Sequence, residues 1–114
     1  MDAIPEVGGR NLGPSPIEVL CASAAACSGI DVISILQKKR QTVTAYRVEV
    51  KWTRAEEGEW PRPVTEMTVC HVITGENLDP EAVARSVQLS DEKYCSVIAT
   101  LRIDVKVRSE WQVT

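Results

Sequence analysis

The run from Ile17 to Leu36 is apolar on nearly every side, broken only by Glu18, Ser23, Ser28, Asp31 and Ser34. A helix with an apolar circumference cannot lie on a surface, because it needs neighbours on more than one face. Its start is marked locally. Ser15 stands as N-cap, Pro16 as the first helical residue and Glu18 three positions after the cap, a capping box that satisfies otherwise unpaired backbone donors. Lys38, Lys39 and Arg40 complement the negative end of the helix dipole. The spacing therefore predicts a helix from about Pro16 to about Lys39. Such a length would also cross a bilayer's ~30 Å hydrocarbon core. Glu18, Asp31 and the many small Ala and Ser residues disfavour that reading, so no membrane association is expected.

A chain of 114 residues that is 44% hydrophobic forms only a modest core. Too few other apolar elements remain to cover the helix, which predicts a homodimer with an interface above ~2,000 Å². The 13 basic and 16 acidic residues are mixed along the sequence and leave a net charge of -3. That argues against binding nucleic acid or an acidic membrane surface. No basic segment followed by an apolar run opens the chain, so a cytoplasmic setting is expected. Residues 1–114 are expected to form one domain, without repeats or linkers.

Residues 1–12 lack any period and read as an irregular lead-in. After the helix, Tyr46, Val48, Val50 and Trp52 alternate with Arg47, Glu49 and Lys51, the pattern of a half-buried strand. A polar loop, Ala55 to Pro63, leads to a second strand from about Val64 to Thr74, predicting an antiparallel pair. The faces of that strand do not separate cleanly at Val69, Cys70, His71 and Val72. Asp79 and Pro80 open a helix through about Leu89, and Ser90 is expected to cap a third helix holding Tyr94, Val97, Ile98 and Leu101. Alternation from Ile103 to Val113 predicts the last strand. The class is α+β, a long central helix plus an antiparallel sheet.

Four cysteines, Cys21, Cys27, Cys70 and Cys95, carry the possible chemistry. Small residues flank Cys27 on its helix, leaving room for another backbone or a small substrate, although a buried helical cysteine also serves as a small hydrophobe. Cys95, after Lys93 and Tyr94, is placed in the first turns of a capped helix, where the dipole and Lys93 would favour a thiolate. If the two are close, Cys95 could resolve an oxidised Cys27, since a sulfenic acid condenses with a thiol to a disulfide. Cys21 and Cys27 fall on different helix faces. Neither CxxC nor HxxH spacing occurs, and no metal or other cofactor is expected. His71, the single histidine, reads as a satisfied sheet residue rather than a base. The glycines lack the spacing of a nucleotide loop.

The stretch GPSPIEVLCASAAACSGIDVISILQKKRQ resembles the central helix of the OsmC/Ohr family, and LSDEKYCSVIATL resembles the segment bearing that family's second cysteine. The wording SGIDVISILQK and LSDEKYCSV is most similar to its YhfA-like branch. The resemblance implies an OsmC-like fold and an interwoven homodimer with central helices at its middle. It also implies a two-cysteine site in which Cys27 attacks an organic hydroperoxide, Cys95 closes a disulfide and a dithiol reductant restores both. Two positions depart from the pattern. The family's glutamate follows the helix-opening proline, where this chain has Ile17, and Glu18 lies about 100° further round the helix. The partner arginine comes from N-terminal strands that this sequence is expected to lack, Arg10 not matching it, which would leave a sheet edge unpaired. Thiol-dependent reduction of hydroperoxides is the expected activity. The alternatives are a dimeric binding or scaffold protein of the same fold, or a cysteine redox sensor.

Overall fold

Ser15 starts the long helix as its spacing predicts. Its hydroxyl accepts the Glu18 N–H at 3.3 Å, and the Glu18 carboxylate accepts the Ser15 N–H at 3.1 Å. The computed structural model, which describes residues 1–114, runs α1 (Pro16–Lys38), β1 (Thr42–Arg54), β2 (Val64–Glu76), α2 (Pro80–Leu89), α3 (Ser96–Leu101) and β3 (Lys106–Val113). At its far end α1 closes in a Schellman turn, with Arg40 N–H on Gln37 O and Gln41 N–H on Leu36 O. Arg40 holds the left-handed position, φ 58°, that glycine usually fills.

The strands form one sheet in the order β1-β2-β3. β1 and β2 pair antiparallel over nearly their whole length, whereas β3 joins β2 in parallel, so the expected antiparallel sheet is a mixed one. Within one protomer β1 and β3 are both edge strands. The helices pack on one face. Alternation along β2 sends Met67, Val69, His71 and Ile73 towards them, which resolves the faces that the sequence left mixed. Val72, on the alternate face, is also buried.

Two apolar clusters divide the space between α1 and the sheet. One gathers Cys21, Ala24 and Ala25 of α1 with Met67, Val69, Cys95, Ile98 and Val105. The other gathers Val32 and Leu36 with Ile73, Val83 and Val87. Between them lie three fully buried polar side chains, Ser28, His71 and Ser90.

Two boundaries differ from the sequence reading. The last strand begins at Lys106, not Ile103, because the N–H groups of Arg102, Asp104 and Val105 bond back to Ile98 and Leu101 at the end of α3. Ile103 is left 81% exposed. Ser90 is not the N-cap of α3, a place that Cys95 takes. Ser90 has helical angles, its N–H bonds back into α2, and the chain continues through a π-helical turn at Ser90–Tyr94 before breaking at Cys95.

Candidate functional site

α1 carries Cys27 and Asp31 four residues apart, one above the other on the same face. Cys95 arrives from the opposite side at the break between the π-helical turn and α3. There it takes the extended conformation of an N-cap, and its sulfur accepts the Ile98 N–H at 3.5 Å. The Sγ atoms of Cys27 and Cys95 and a carboxylate oxygen of Asp31 all lie within 4.8 Å of one another. Cys27 is half-buried, Cys95 is 2% exposed, and all four cysteines are free thiols.

The position of Cys95 differs from the expectation of a thiol inside a capped helix. Burial dominates its electrostatics and pushes the thiol up to about 11, and the neighbouring Cys27 and Asp31 add to the rise. The Ile98 N–H opposes them only in part. The charged side chain that bears on Cys95 is thus the anion Asp31, in place of Lys93. Cys21 and Cys70 stand apart. Cys21 is a fully buried core residue whose thiol is raised by burial, and Cys70 lies on the sheet face away from the helices.

Behind Asp31 runs a chain of hydrogen bonds through the polar layer. Ser90 Oγ donates to Asp31 Oδ2 at 3.0 Å, and Ser28 Oγ lies 3.1 Å from Ser90 Oγ. Ser28 Oγ is also 3.2 Å from His71 Nε2, and His71 Nδ1 is 2.6 Å from the Tyr46 hydroxyl. Each hydroxyl has one proton, and a carboxylate can only accept, so the direction of every bond follows. Tyr46 donates to His71 Nδ1, His71 Nε2–H to Ser28, Ser28 to Ser90, and Ser90 to Asp31. This assignment needs a neutral imidazole, and burial lowers the His71 pKa to about 4. Gly29 makes room for the far end, since a Cβ there would meet the Tyr46 hydroxyl at 2.8 Å. His71 is the satisfied sheet residue that its isolation in the sequence predicts.

Neither Ile17 nor Glu18 enters the site. Ile17 packs at the edge of the cysteine-bearing cluster, and the Glu18 carboxylate is engaged in the capping box. Asp31 and Ser90 were missed as site residues. The Cys-x-x-x-Asp spacing on one helix face was the readable signal for the first. Asp31 also borders a pocket of about 290 Å³ with Ser34, Ile35, Lys38, Leu89 and Tyr94.

Adjacent free thiols held between a long helix and the break before a short one, on a three-stranded α+β frame, define a redox-related class of domain. The chain belongs to the OsmC family: the profile described as OsmC-like protein matches residues 8–110. It is 45% identical over 100 residues to Protein YhfA of Escherichia coli (strain K12), covering 88% of this chain and 73% of that one. Among solved structures, a hypothetical protein from Aquifex aeolicus VF5 superposes with a TM-score of 0.83 at 35% identity, covering 91% of this chain and 76% of the other. An organic hydroperoxide resistance protein OsmC from Legionella pneumophila shares the fold, with a TM-score of 0.77 at 18% identity over 99% of this chain and 80% of its own. The resemblance seen in the helix and in the Cys95 segment holds at the level of family and fold.

Proposed function

We propose that the protein reduces organic hydroperoxides through Cys27 and Cys95. The observation that carries this reading is the approach of the two sulfurs to within 4.8 Å, the half-buried one in front and the buried one behind. Cys27 attacks the terminal oxygen of the hydroperoxide, the O–O bond breaks, and the products are a Cys27 sulfenic acid and an alcohol. Cys95 then displaces water from that sulfur to form the disulfide, and a dithiol reductant resets both thiols. A disulfide needs S–S near ~2.05 Å, so closure asks for a local movement of at most ~3 Å.

The family relationship supports the redox reading, and the chain's own surface supports a dimer. Val19, Ala22, Ser23, Ala26, Ile30 and Ile33 form a stripe along α1 that is covered partly or not at all within the protomer, Ile30 being 71% exposed. A second copy covering this stripe would bury it as an obligate homodimer does, and light scattering at micromolar concentration should give the dimer mass. A cytoplasmic setting suits free thiols that must be reduced again.

The test is consumption of tert-butyl hydroperoxide with a dithiol reductant, the natural chain against Cys27→Ser. Turnover should vanish in the variant, and mass mapping after mild peroxide should find a Cys27–Cys95 disulfide with Cys70 unmodified. The burial of Cys95 and its raised pKa favour the competing reading, thiols kept for packing in a scaffold. That reading gains if the natural chain shows no turnover and no disulfide.

A further inference from the structure

Both steps of a two-thiol cycle strand a proton. When the Cys27 sulfur takes the terminal oxygen of ROOH, the departing RO⁻ needs the proton that the thiol gives up. When Cys95 attacks the sulfenic sulfur, its own S–H proton must leave and reach the departing hydroxide, which exits as water. Cys95 makes the second transfer the harder one, because its buried thiol resists losing a proton.

We propose that Asp31 is a further catalytic residue, the shared proton carrier that takes the proton from each attacking thiol in turn and hands it to the oxygen that leaves. The inference rests on the two-thiol peroxidase reading and deepens it. Three observations carry it. A carboxylate oxygen of Asp31 lies within 4.8 Å of both sulfurs, a span that one water or a small movement bridges, so one group is placed to serve both steps. The Ser90 hydroxyl donates to Oδ2, the one side-chain hydrogen bond that the carboxylate receives, so acceptor capacity remains for a thiol. The hydrogen bonds that run from Tyr46 through His71, Ser28 and Ser90 end on the carboxylate, so these positioning residues hold Asp31 in place. The pocket that Asp31 borders, with Ile35, Leu89 and Tyr94 in its wall, gives an alkyl group an apolar seat beside it.

Electrostatics gives the idea a definite sign. As a passive neighbour, an anion beside Cys95 holds its proton on, and removing the charge should speed disulfide closure. As a proton carrier, Asp31 should slow closure when it is lost.

The test uses the full chain, with a chelator present, Asp31→Asn and Asp31→Glu, and thermal melting to confirm folding. tert-Butyl hydroperoxide leaves as an alkoxide that must be protonated, whereas peroxyacetic acid leaves as a carboxylate that need not be. D31N should slow sulfenic acid formation by tert-butyl hydroperoxide about a hundredfold. It should slow the peroxyacetic acid reaction clearly less, because the departing carboxylate needs no proton and only the removal of the Cys27 proton is lost there. In protein oxidised by peroxyacetic acid, disulfide closure should also slow about a hundredfold in D31N and recover in part in D31E. Closure in D31N at or above the natural rate overturns the role of Asp31, and so does equal loss in D31N and D31E. If the natural chain ignores tert-butyl hydroperoxide while closure still depends on Asp31, the hydroperoxide reading fails and the proton carrier stands.

Discussion

The two ends of α1 are buried in different chemistry. Towards its start, the helix contributes Cys21, Ala24 and Ala25 to a cluster closed by Met67, Val69, Cys95 and Ile98. Towards its end, Val32 and Leu36 meet Ile73, Val83 and Val87, branched aliphatic side chains without polar atoms. Ser28 and His71 sit at the level where one gives way to the other. On α1 itself the first end contributes small side chains and a sulfur, which bring backbones close and leave room for two neighbouring thiols, whereas the second contributes larger branched side chains. Along the helix the division separates the stretch that carries the thiols from the stretch that fills space, and the polar layer connects the two.

Leu36→Ala should break the comparison at its stable end. Leu36 is fully buried, and its truncation should cost about 3 kcal/mol in urea unfolding while the folded fraction keeps its thiol reactivity. Cys27→Ser should do the opposite, removing thiol chemistry while stability stays within about 1 kcal/mol. Comparable stability losses in the two variants would erase the division.

The polar layer should show itself in the pH dependence of stability. His71 has a pKa of about 4 in the fold against 6.5 as its ordinary value, so between those values the unfolded chain binds the extra proton. Stability is therefore complete above pH 6.5 and falls as the pH drops towards 4, by roughly 1.4 kcal/mol per unit from this group. Urea midpoints from pH 7 to 4.5 should fall more shallowly in His71→Gln, and parallel slopes would remove His71 from the account. Gly29→Ala should have the smallest effect on stability. Alanine gains about 1 kcal/mol of helix propensity over glycine. Its Cβ would displace the Tyr46 hydroxyl from His71, a loss of about 1 kcal/mol, so the net change should be near zero. The readout is structural: the His71 ring nitrogens should change their NMR shifts although the melting temperature hardly moves.

What could be read from the sequence was what neighbouring residues decide. The capping box at Ser15, the Asp79-Pro80 start of α2 and the alternation of β1 are local devices, and each stands in the structure where its spacing placed it. The proximity of Cys27 and Cys95 was legible only through family resemblance, because 68 positions separate them and no local pattern encodes their meeting. Ser90 misled for a physical reason. A serine before Asp and Glu has the composition of a cap, yet here α2 continues through it and its hydroxyl is directed to Asp31. Ile103 misled similarly, since alternation continues into residues whose N–H groups the end of α3 has already engaged.

The parallel pairing of β3 with β2 sets an order of events during folding. β1 and β2 join through a short connection, but β3 reaches β2 only after the whole segment between Glu76 and Lys106 has been folded across. Loop closure of that length makes this the slow contact. Cys95 lies within that crossing segment, so the two thiols meet only once the segment has folded back onto α1. A chain still emerging from the ribosome therefore carries Cys27 without its neighbour, and the pairing of the thiols belongs to the long-range half of folding.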